Sequence, residues 1–267
     1  MSKEKPLPRH KGVYILPNLF TTASLFLGFL GMIWAIEGRF EYTALCILGS
    51  CLFDGLDGKV ARLTNTTSEF GVQFDSLADL VAFGATPGLM MYQWQLSGFG
   101  TLGLMASFLL VACGALRLAR FNVQAAVTSK KFFIGLPIPA QASTLASLVL
   151  FAPHLPDSWL TDVLPTASLV LVYVLSFLMV STMRYASFKE YGFIKAHPFS
   201  SMVTVILLFV MVASRPKMLG FVFFLGYIIS GPIYTLFILS PRGSKLVATK
   251  EQSQKEQQKE LPKEQQQ

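Results

Sequence analysis

Four aspartates between residues 53 and 84 are the groups in this sequence best suited to chemistry. Asp54 and Asp57 are three residues apart, and Asp75 and Asp79 are four residues apart. Either spacing places both carboxylates on one face of an α-helix, close to a single turn. The rest of the chain contains only two further aspartates. The stretch therefore predicts two helices that each present a carboxylate pair.

The chemistry expected of four such carboxylates is the binding of hard metal ions. A turn around residues 63 to 69 would let the two helices run antiparallel and bring the pairs to equal depth. Four negative charges at close range repel one another unless protons or cations neutralise them. Oxygen ligands favour Mg²⁺, Mn²⁺ or Ca²⁺ over zinc. Four carboxylates together with substrate phosphates could hold two such ions.

Small and basic residues accompany the acids in the same stretch. Gly58, Ala61 and Gly71 would allow a ligand or a neighbouring helix to approach closely. Such an approach offsets the cost of up to about 1 kcal/mol that a glycine carries inside a helix. Arg62 is placed to contact a phosphate. Packing alone would explain one glycine, but four spaced acids with an arginine indicate a functional site.

The elements that must position these residues are membrane helices. Hydrophobic residues make up 52% and charged residues 14% of the 267 residues, which is too apolar for an ordinary soluble domain. Crossing the hydrocarbon takes about 20 apolar residues, and backbone groups in lipid must be bonded within their own element. We predict an all-α, polytopic transmembrane helical bundle of about eight spans. The apolar stretches are residues 17 to 36, 41 to 62, 70 to 95, 100 to 121, 137 to 153, 160 to 182, 199 to 213 and 217 to 239.

The distribution of positive charge predicts the orientation of this bundle. With eight spans, only Arg39, Arg215 and Lys217 of the 22 lysines and arginines lie on the side opposite the termini. Lysine and arginine concentrate in cytoplasmic loops of membrane proteins, so both termini are predicted to be cytoplasmic. The same loops, facing anionic headgroups, account for the net charge of +7. We therefore expect membrane lipids, and no nucleic acid, as partners.

Composition divides the chain into three parts. Residues 1 to 16 mix basic and bulky apolar residues and predict an interfacial segment on the cytoplasmic side, followed by a helix that Asn18 caps. Residues 17 to 240 form the predicted membrane domain. Residues 241 to 267 lack aromatic residues and are rich in Gln, Glu and Lys, which predicts a disordered cytoplasmic tail.

The acidic stretch also resembles a known signature. It fits the pattern D-x-x-D-G-x-x-A-R-x8-G-x3-D-x3-D at every fixed position from Asp54 to Asp79. This pattern is similar to the signature of the CDP-alcohol phosphatidyltransferases. The resemblance implies a core of six transmembrane helices, here with two more, a homodimer, and a site at the cytoplasmic face of the cell inner membrane. It also implies divalent metal, two ions of Mg²⁺ or Mn²⁺, with Ca²⁺ as a further candidate.

The resemblance assigns roles to individual residues. Asp54, Asp57 and Asp75 would bind the metal, and Asp79 would both bind metal and act as the general base. An alcohol hydroxyl is a poor nucleophile until a positioned group accepts its proton, which is the role implied for Asp79. The residues implied to line the CDP-diacylglycerol site are Asn18, Gly58, Ala61, Arg62, Ser68 and Gly71.

Two further segments bear on the acceptor alcohol, "RLARFN" at residues 117 to 122 and "KKFFIGLPIPAQA" at residues 130 to 142. Basic residues at helix ends often reach headgroups, and Gly and Pro suit a rigid turn, so both segments also have structural explanations. Together they resemble the integral-membrane phosphatidylserine synthase branch of the family. That branch implies L-serine as acceptor, whose carboxylate an arginine fork suits. The residues implied to contact the acceptor or lipid phosphate are Arg117, Arg120, Asn122 and Lys131.

Two alternatives remain open at this point. Glycerol phosphate, inositol phosphate or choline could replace serine as the acceptor in the same reaction, because the basic cluster is less specific than the aspartates. A divalent-cation or proton-coupled transporter would also use intramembrane acids. A transporter places its acids near the midplane, however, whereas these pairs lie toward one face with an arginine and glycines between them.

Overall fold

A computed structural model describes residues 15 to 64, 66, 68 to 125, 133 to 185 and 216 to 239 of the chain. These residues are almost entirely helical. In chain order the α-helices are α1 Ile15–Ile36, α2 Phe40–Leu63, α3 Glu69–Asp79, α4 Thr86–Met91, α5 Thr101–Ala125, α6 Ile138–Phe151, α7 Asp157–Asp162, α8 Leu164–Val180 and α9 Pro216–Leu239. The prediction of an all-α fold is confirmed.

Seven of the eight predicted apolar stretches coincide with helical segments, and the stretch at residues 199 to 213 lies outside the described residues. Within the described part, Pro17–Ile36 and Thr101–Val123 are long and apolar enough to cross a membrane. Leu164–Val180 and Gly220–Ile233 are shorter apolar helices. Almost all of the predicted interfacial segment and the whole of the predicted tail also lie outside the described residues.

The start of α1 differs from the prediction of an Asn18 cap. The helix begins at Ile15, so Asn18 lies inside its first turn. Proline is tolerated in a first turn because its missing N–H would have no partner there, and Pro17 therefore does not mark the boundary. Thr22 donates from its hydroxyl to the Asn18 carbonyl at 2.7 Å, which fits a helical position for Asn18. The side chain of Asn18 is thus not the N-cap of α1.

The predicted third span is continuous but not a uniform α-helix. Two π-helical segments, Leu80–Ala85 and Tyr92–Leu96, flank α4. Pro87 has no N–H and cannot donate to the Phe83 carbonyl four residues before it, as an α-helix would require. Instead the Gln141 side-chain amide of α6 donates to that carbonyl. The wider turn is therefore stabilised by a neighbouring helix.

The core lies where α4, α5, α6 and α8 meet. Phe83, Met90, Leu110, Leu145 and Leu175 are fully buried there. A short antiparallel pair, β1 Phe133–Ile134 and β2 Arg184–Tyr185, joins the segment before α6 to the segment after α8. Helix α1 packs along α2 and also contacts α3, so it lines the region where the aspartates lie.

Candidate active site

The structure brings the predicted carboxylates together from α2 and α3. Asp54, Asp57 and Asp75 each offer a carboxylate oxygen within 4.8 Å of the other two. Asp79, one turn beyond Asp75, interacts electrostatically with the other three aspartates. The spacing argument therefore describes the arrangement well, because residues from both pairs face the same space.

Burial increases the electrostatic repulsion among the carboxylates of this cluster. The side chains of Asp57 and Asp79 are buried, with 6% and 9% of their surfaces exposed, and Asp54 and Asp75 are half-buried. Carboxylates removed from water repel one another strongly, and a divalent cation bound by several of them relieves that repulsion. Arg62 contributes opposite charge near Asp57. An all-oxygen donor set of this kind fits Mg²⁺, Mn²⁺ or Ca²⁺.

Thr21 is a member of the site that the sequence did not reveal. Its hydroxyl, on α1, donates to Asp57 Oδ2 at 2.8 Å and also lies 3.2 Å from the Pro17 carbonyl. The Thr21 side chain is buried, with 4% exposed. A hydrogen bond of this kind orients a carboxylate for metal binding. The signal available was its position three residues after Asn18, on the same helix face.

A pocket of about 200 Å³ opens beside the aspartates, between α1, α2 and the start of α3. Asp57 and Asp75 are among its lining residues. All six residues predicted for the CDP-diacylglycerol site line it, namely Asn18, Gly58, Ala61, Arg62, Ser68 and Gly71. The sequence did not single out four more lining residues, which are Pro17, Thr21, Thr66 and Val72.

Ser68 and Gly71 shape the edge of this pocket. Ser68 is the N-cap of α3, and its hydroxyl accepts a hydrogen bond from the Gly71 N–H at 3.0 Å. A Cβ added at Gly71 would lie 3.1 Å from Ser68 Oγ and 3.6 Å from Asn18 Oδ1. The absence of a side chain at Gly71 therefore lets the first turn of α3 approach Asn18 of α1. This close approach brings three predicted donor-site residues to one wall.

Comparison with known proteins agrees with this arrangement. The family model for CDP-alcohol phosphatidyltransferase matches residues 14 to 174, which include every aspartate of the cluster and the whole lining of the pocket. The chain belongs to the CDP-alcohol phosphatidyltransferase family. Enzymes of this family depend on divalent metal, in accord with the acidic cluster.

Several relatives in this family carry names that specify a substrate. The chain is 39% identical over 227 residues to a CDP-diacylglycerol--serine O-phosphatidyltransferase of Helicobacter pylori, covering 85% of this chain and 93% of that protein. It is 34% identical over 160 residues to the protein of that name from Mycobacterium bovis, covering 58% and 56%. An archaetidylserine synthase of Methanothermobacter thermautotrophicus is 37% identical over 137 residues, covering 51% of this chain and 58% of that protein.

Among the residues predicted for the acceptor site, the structure separates the two arginines of "RLARFN". Arg120 donates from Nη1 to the Val180 carbonyl at 3.0 Å, at the C-terminal end of α8. A guanidinium in that position caps carbonyls that have no partner within the helix. Arg117 is instead buried, with 8% exposed. Arg120 therefore contacts the end of α8, and the side chain of Arg117 is buried.

Asn122, the last residue of "RLARFN", connects α5 to α3, which carries Asp75 and Asp79. Its side-chain amide donates to Ser76 Oγ at 3.0 Å and to Gln73 Oε1 at 3.3 Å. Asn122 Oδ1 lies 3.3 Å from the Ser76 hydroxyl, which can donate to it. Ser76 follows Asp75 directly, so Asn122 fixes the end of α5 against the helix that carries two of the aspartates. Lys131 lies outside the described residues.

Proposed function

We propose that this protein transfers the phosphatidyl group of CDP-diacylglycerol to L-serine and releases phosphatidylserine and CMP. The observation that carries the proposal is the convergence of Asp54, Asp57 and Asp75 within 4.8 Å beside the pocket that Asn18 and Arg62 line. Membership of the phosphatidyltransferase family supports the reaction type. The serine-specific names of relatives over 85% of the chain support the acceptor.

The acidic cluster would hold the divalent metal. Asp54, Asp57 and Asp75 offer ligand oxygens, and Asp79 is close enough to Asp54 to join them. We propose Mg²⁺ or Mn²⁺, with Ca²⁺ as a further candidate, and two ions in the working site. When bound, such ions neutralise the diphosphate and stabilise the departing CMP.

The pocket beside the cluster would bind the donor. Arg62 supplies a positive charge for a phosphate, and Asn18 offers an amide to the nucleotide. Gly58, Ala61 and Gly71 leave room for the diphosphate to approach the helix backbone. Ser68 would contribute by holding the start of α3 in place, because its hydroxyl accepts a hydrogen bond from the Gly71 N–H.

The chemical step needs a base beside the acceptor hydroxyl, and we assign this role to Asp79. Its carboxylate would accept the hydroxyl proton of serine as the serine oxygen forms a bond to the phosphorus that carries diacylglycerol. The bond from that phosphorus to the bridging oxygen breaks, and CMP leaves with that oxygen. The burial of Asp79 keeps bulk water away from the base and so limits hydrolysis of the donor.

Arg117 is our candidate for the carboxylate of serine. Its guanidinium carries the positive charge that a carboxylate requires, and its side chain is buried, with 8% of its surface exposed. Asn122 would position α3 through Ser76 and Gln73. Lys131 stays a sequence-based candidate for the acceptor or lipid phosphate.

The membrane arrangement follows from the same proposal. We propose a multi-pass protein of about eight spans in the cell inner membrane, with both termini and the active site on the cytoplasmic side, and a homodimer as the working form. One membrane domain, residues 17 to 240, would carry the activity. The acyl chains of the donor then stay in lipid while serine enters from the cytosol.

The decisive experiment is an acceptor screen with purified protein, CDP-diacylglycerol and Mg²⁺ or Mn²⁺, with CMP release as the readout. We expect release with L-serine and little with glycerol phosphate, inositol phosphate or choline. Release with one of the other alcohols alone would overturn the serine assignment. Movement of Mn²⁺ into liposomes without any CMP release would overturn the enzyme assignment in favour of a transporter.

A further inference from the structure

Helix α6 carries a glutamine close to its start. Gln141 is completely buried, and its side-chain amide donates to the Phe83 carbonyl in the π-helical turn Leu80–Ala85. Its oxygen, Oε1, has no hydrogen-bond partner among the described residues. Burying an amide is costly unless its polar atoms form hydrogen bonds. The bond to Phe83 is therefore the interaction that accounts for a glutamine at this position.

The Phe83 carbonyl lacks the backbone donor that an α-helix would supply. That donor would be the N–H of residue 87, which is a proline. The two preceding residues have helical dihedral angles, with φ −67° and ψ −45° at Ala85 and φ −61° and ψ −53° at Thr86. An N–H at position 87 would therefore point back along the helix toward Phe83. The Gln141 amide takes the place of this missing N–H.

Helix α1 also holds the π-helical turn. The Thr86 N–H donates to the Val81 carbonyl, five residues before it. The Thr86 hydroxyl lies 2.8 Å from the Val81 carbonyl oxygen and 2.9 Å from the Gly28 carbonyl oxygen of α1. A Cβ added at Gly28 would be 2.7 Å from the Cα of Ala82, so the two backbones are in contact. The turn is thus fixed by α1 and by Gln141 of α6.

Asp79 is the last residue before this turn, which begins at Leu80. Phe83 follows Asp79 by four residues, or about 6 Å along the helix axis. A π-helical turn shifts the phase of the helix around it, and such turns are frequent at functional sites. A change in the turn would therefore alter the orientation of Asp79 first, because Asp75 lies a full turn further away.

From these contacts we propose that Gln141 is a positioning residue for Asp79. By donating to the Phe83 carbonyl, Gln141 keeps the turn after Asp79 in its π-helical form and so holds the carboxylate of Asp79 in the orientation that the acceptor hydroxyl requires. Gln141 acts through the helix and not on a substrate. The proposal rests on the proposed role of Asp79 as the base in transfer to serine.

The first variant, Gln141→Leu, removes the donor and keeps a side chain of similar size. We expect kcat for CMP release with L-serine to fall about tenfold, because the base is displaced. The KM for CDP-diacylglycerol and the Mn²⁺ affinity measured by electron paramagnetic resonance should stay within about twofold. Asp54, Asp57 and Asp75 converge before the turn begins, so metal binding does not depend on it. A general loss of structure would change all three quantities together.

The second variant returns the missing donor from the backbone. Pro87→Ala supplies an N–H four residues after Phe83 without a change of chain length, so it can bond the carbonyl that Gln141→Leu leaves without its amide donor. We expect Gln141→Leu/Pro87→Ala to recover kcat to within about threefold of wild type. The thermal unfolding midpoint in detergent micelles, which Gln141→Leu lowers, should rise again. Recovery of both quantities would be specific to a role at the Phe83 carbonyl.

Thr144→Val is the matched control. Thr144 is equally buried, about one turn further along α6, and its hydroxyl donates within its own helix to the Ala140 carbonyl at 2.7 Å. Its kinetic constants should equal those of wild type.

Unchanged kcat in Gln141→Leu would overturn the proposal, as would a double variant that stays as slow as Gln141→Leu. If Gln141→Leu alone yields no folded protein, folded and active double variant supports the proposal, and an unfolded one overturns it. Wild-type protein that releases no CMP with serine would instead overturn the proposed function. The unfolding midpoints would then still show whether Gln141 and position 87 act on the same carbonyl.

Discussion

Thr21 and Asp57 are joined by a 2.8 Å hydrogen bond from the threonine hydroxyl to Asp57 Oδ2. This bond links α1 to the acidic face of α2, and both side chains are buried. It uses one acceptor position of the carboxylate and leaves the other oxygen for a metal. Groups that orient a metal ligand in this way are commonly as important as the ligand itself. The first helix is thus part of the candidate metal site as well as of the proposed donor pocket.

Replacing Thr21 should therefore weaken metal binding. We expect Thr21→Val to lower the affinity for Mn²⁺ by about tenfold, because Asp57 loses the hydrogen bond that fixes its orientation. Titration of activity and of the Mn²⁺ electron paramagnetic resonance signal measures this directly. Thr22→Val is the matched control, since Thr22 is exposed and its hydroxyl donates only to its own helix, at the Asn18 carbonyl. Equal Mn²⁺ affinity in the two variants would contradict the role of Thr21.

Loss of the base should separate binding from turnover. Asp79→Asn keeps the shape of the side chain, but an amide cannot take up the proton of the serine hydroxyl. We therefore expect kcat to fall by at least about a hundredfold. Binding of CDP-diacylglycerol should largely persist, as measured by equilibrium binding of the labelled donor. Asp157→Asn, at an exposed position in α7, should leave both quantities unchanged. Retained turnover in Asp79→Asn would remove this residue from the role of base.

A methyl group at Gly71 should obstruct the donor pocket. It would lie 3.1 Å from Ser68 Oγ and 3.6 Å from Asn18 Oδ1, which forces the wall to move. Overpacking of this kind costs about 1 to 3 kcal/mol, so Gly71→Ala should raise the KM for CDP-diacylglycerol at least about fivefold. Gly220→Ala is the control, because no described atom lies within 4 Å of an added Cβ there. An unchanged donor KM in Gly71→Ala would show that this wall does not contact the donor.

The contact between Asn122 and Ser76 should be measurable as a coupling energy. A double-mutant cycle with Asn122→Ala and Ser76→Ala should give a coupling of about 1 kcal/mol in the free energy of unfolding. Denaturation in mixed detergent micelles supplies the four stabilities. Asn122→Ala combined with Thr161→Ala should be additive, because the hydrogen bonds of the Thr161 hydroxyl stay within α7. Additivity in the first cycle as well would mean that Asn122 does not support α3.

The sequence was sufficient to predict the acidic cluster. Helical periodicity alone places Asp54 with Asp57 and Asp75 with Asp79, and a short turn lets the two pairs meet. Hydrophobic stretches of spanning length likewise located the helices, since backbone groups in lipid leave few alternatives to helix. The resemblance implies six residues for the donor site, and all six line one pocket. Helical periodicity and a specific motif both relate residues that are close in sequence, which is why they could predict that these residues lie together.

Contacts between residues far apart in the sequence could not be predicted from the sequence. Nothing in the spacing of Thr21 or Gln141 says which carboxylate or carbonyl its side chain will meet, because that depends on how helices pack. The two arginines of "RLARFN" could not be ranked for the same reason, although one meets the end of α8 and the other lies under Gly135. The start of α1 differs from the predicted position because Pro17 lies in the first turn, where a helix tolerates proline.

The π-helical turn at Leu80–Ala85 constrains how this protein can change over evolution. It offsets the phase of the helix, so that the acids before it face the catalytic space while Thr86 after it donates to the Gly28 carbonyl at 2.9 Å. Deleting one residue there would rotate everything downstream by about 100° and carry Thr86 away from α1. A substitution in this stretch leaves the phase of the helix unchanged, whereas a change of length does not. Homologous genes should therefore show a gap-free alignment between Asp79 and Pro87 even where the residues themselves differ.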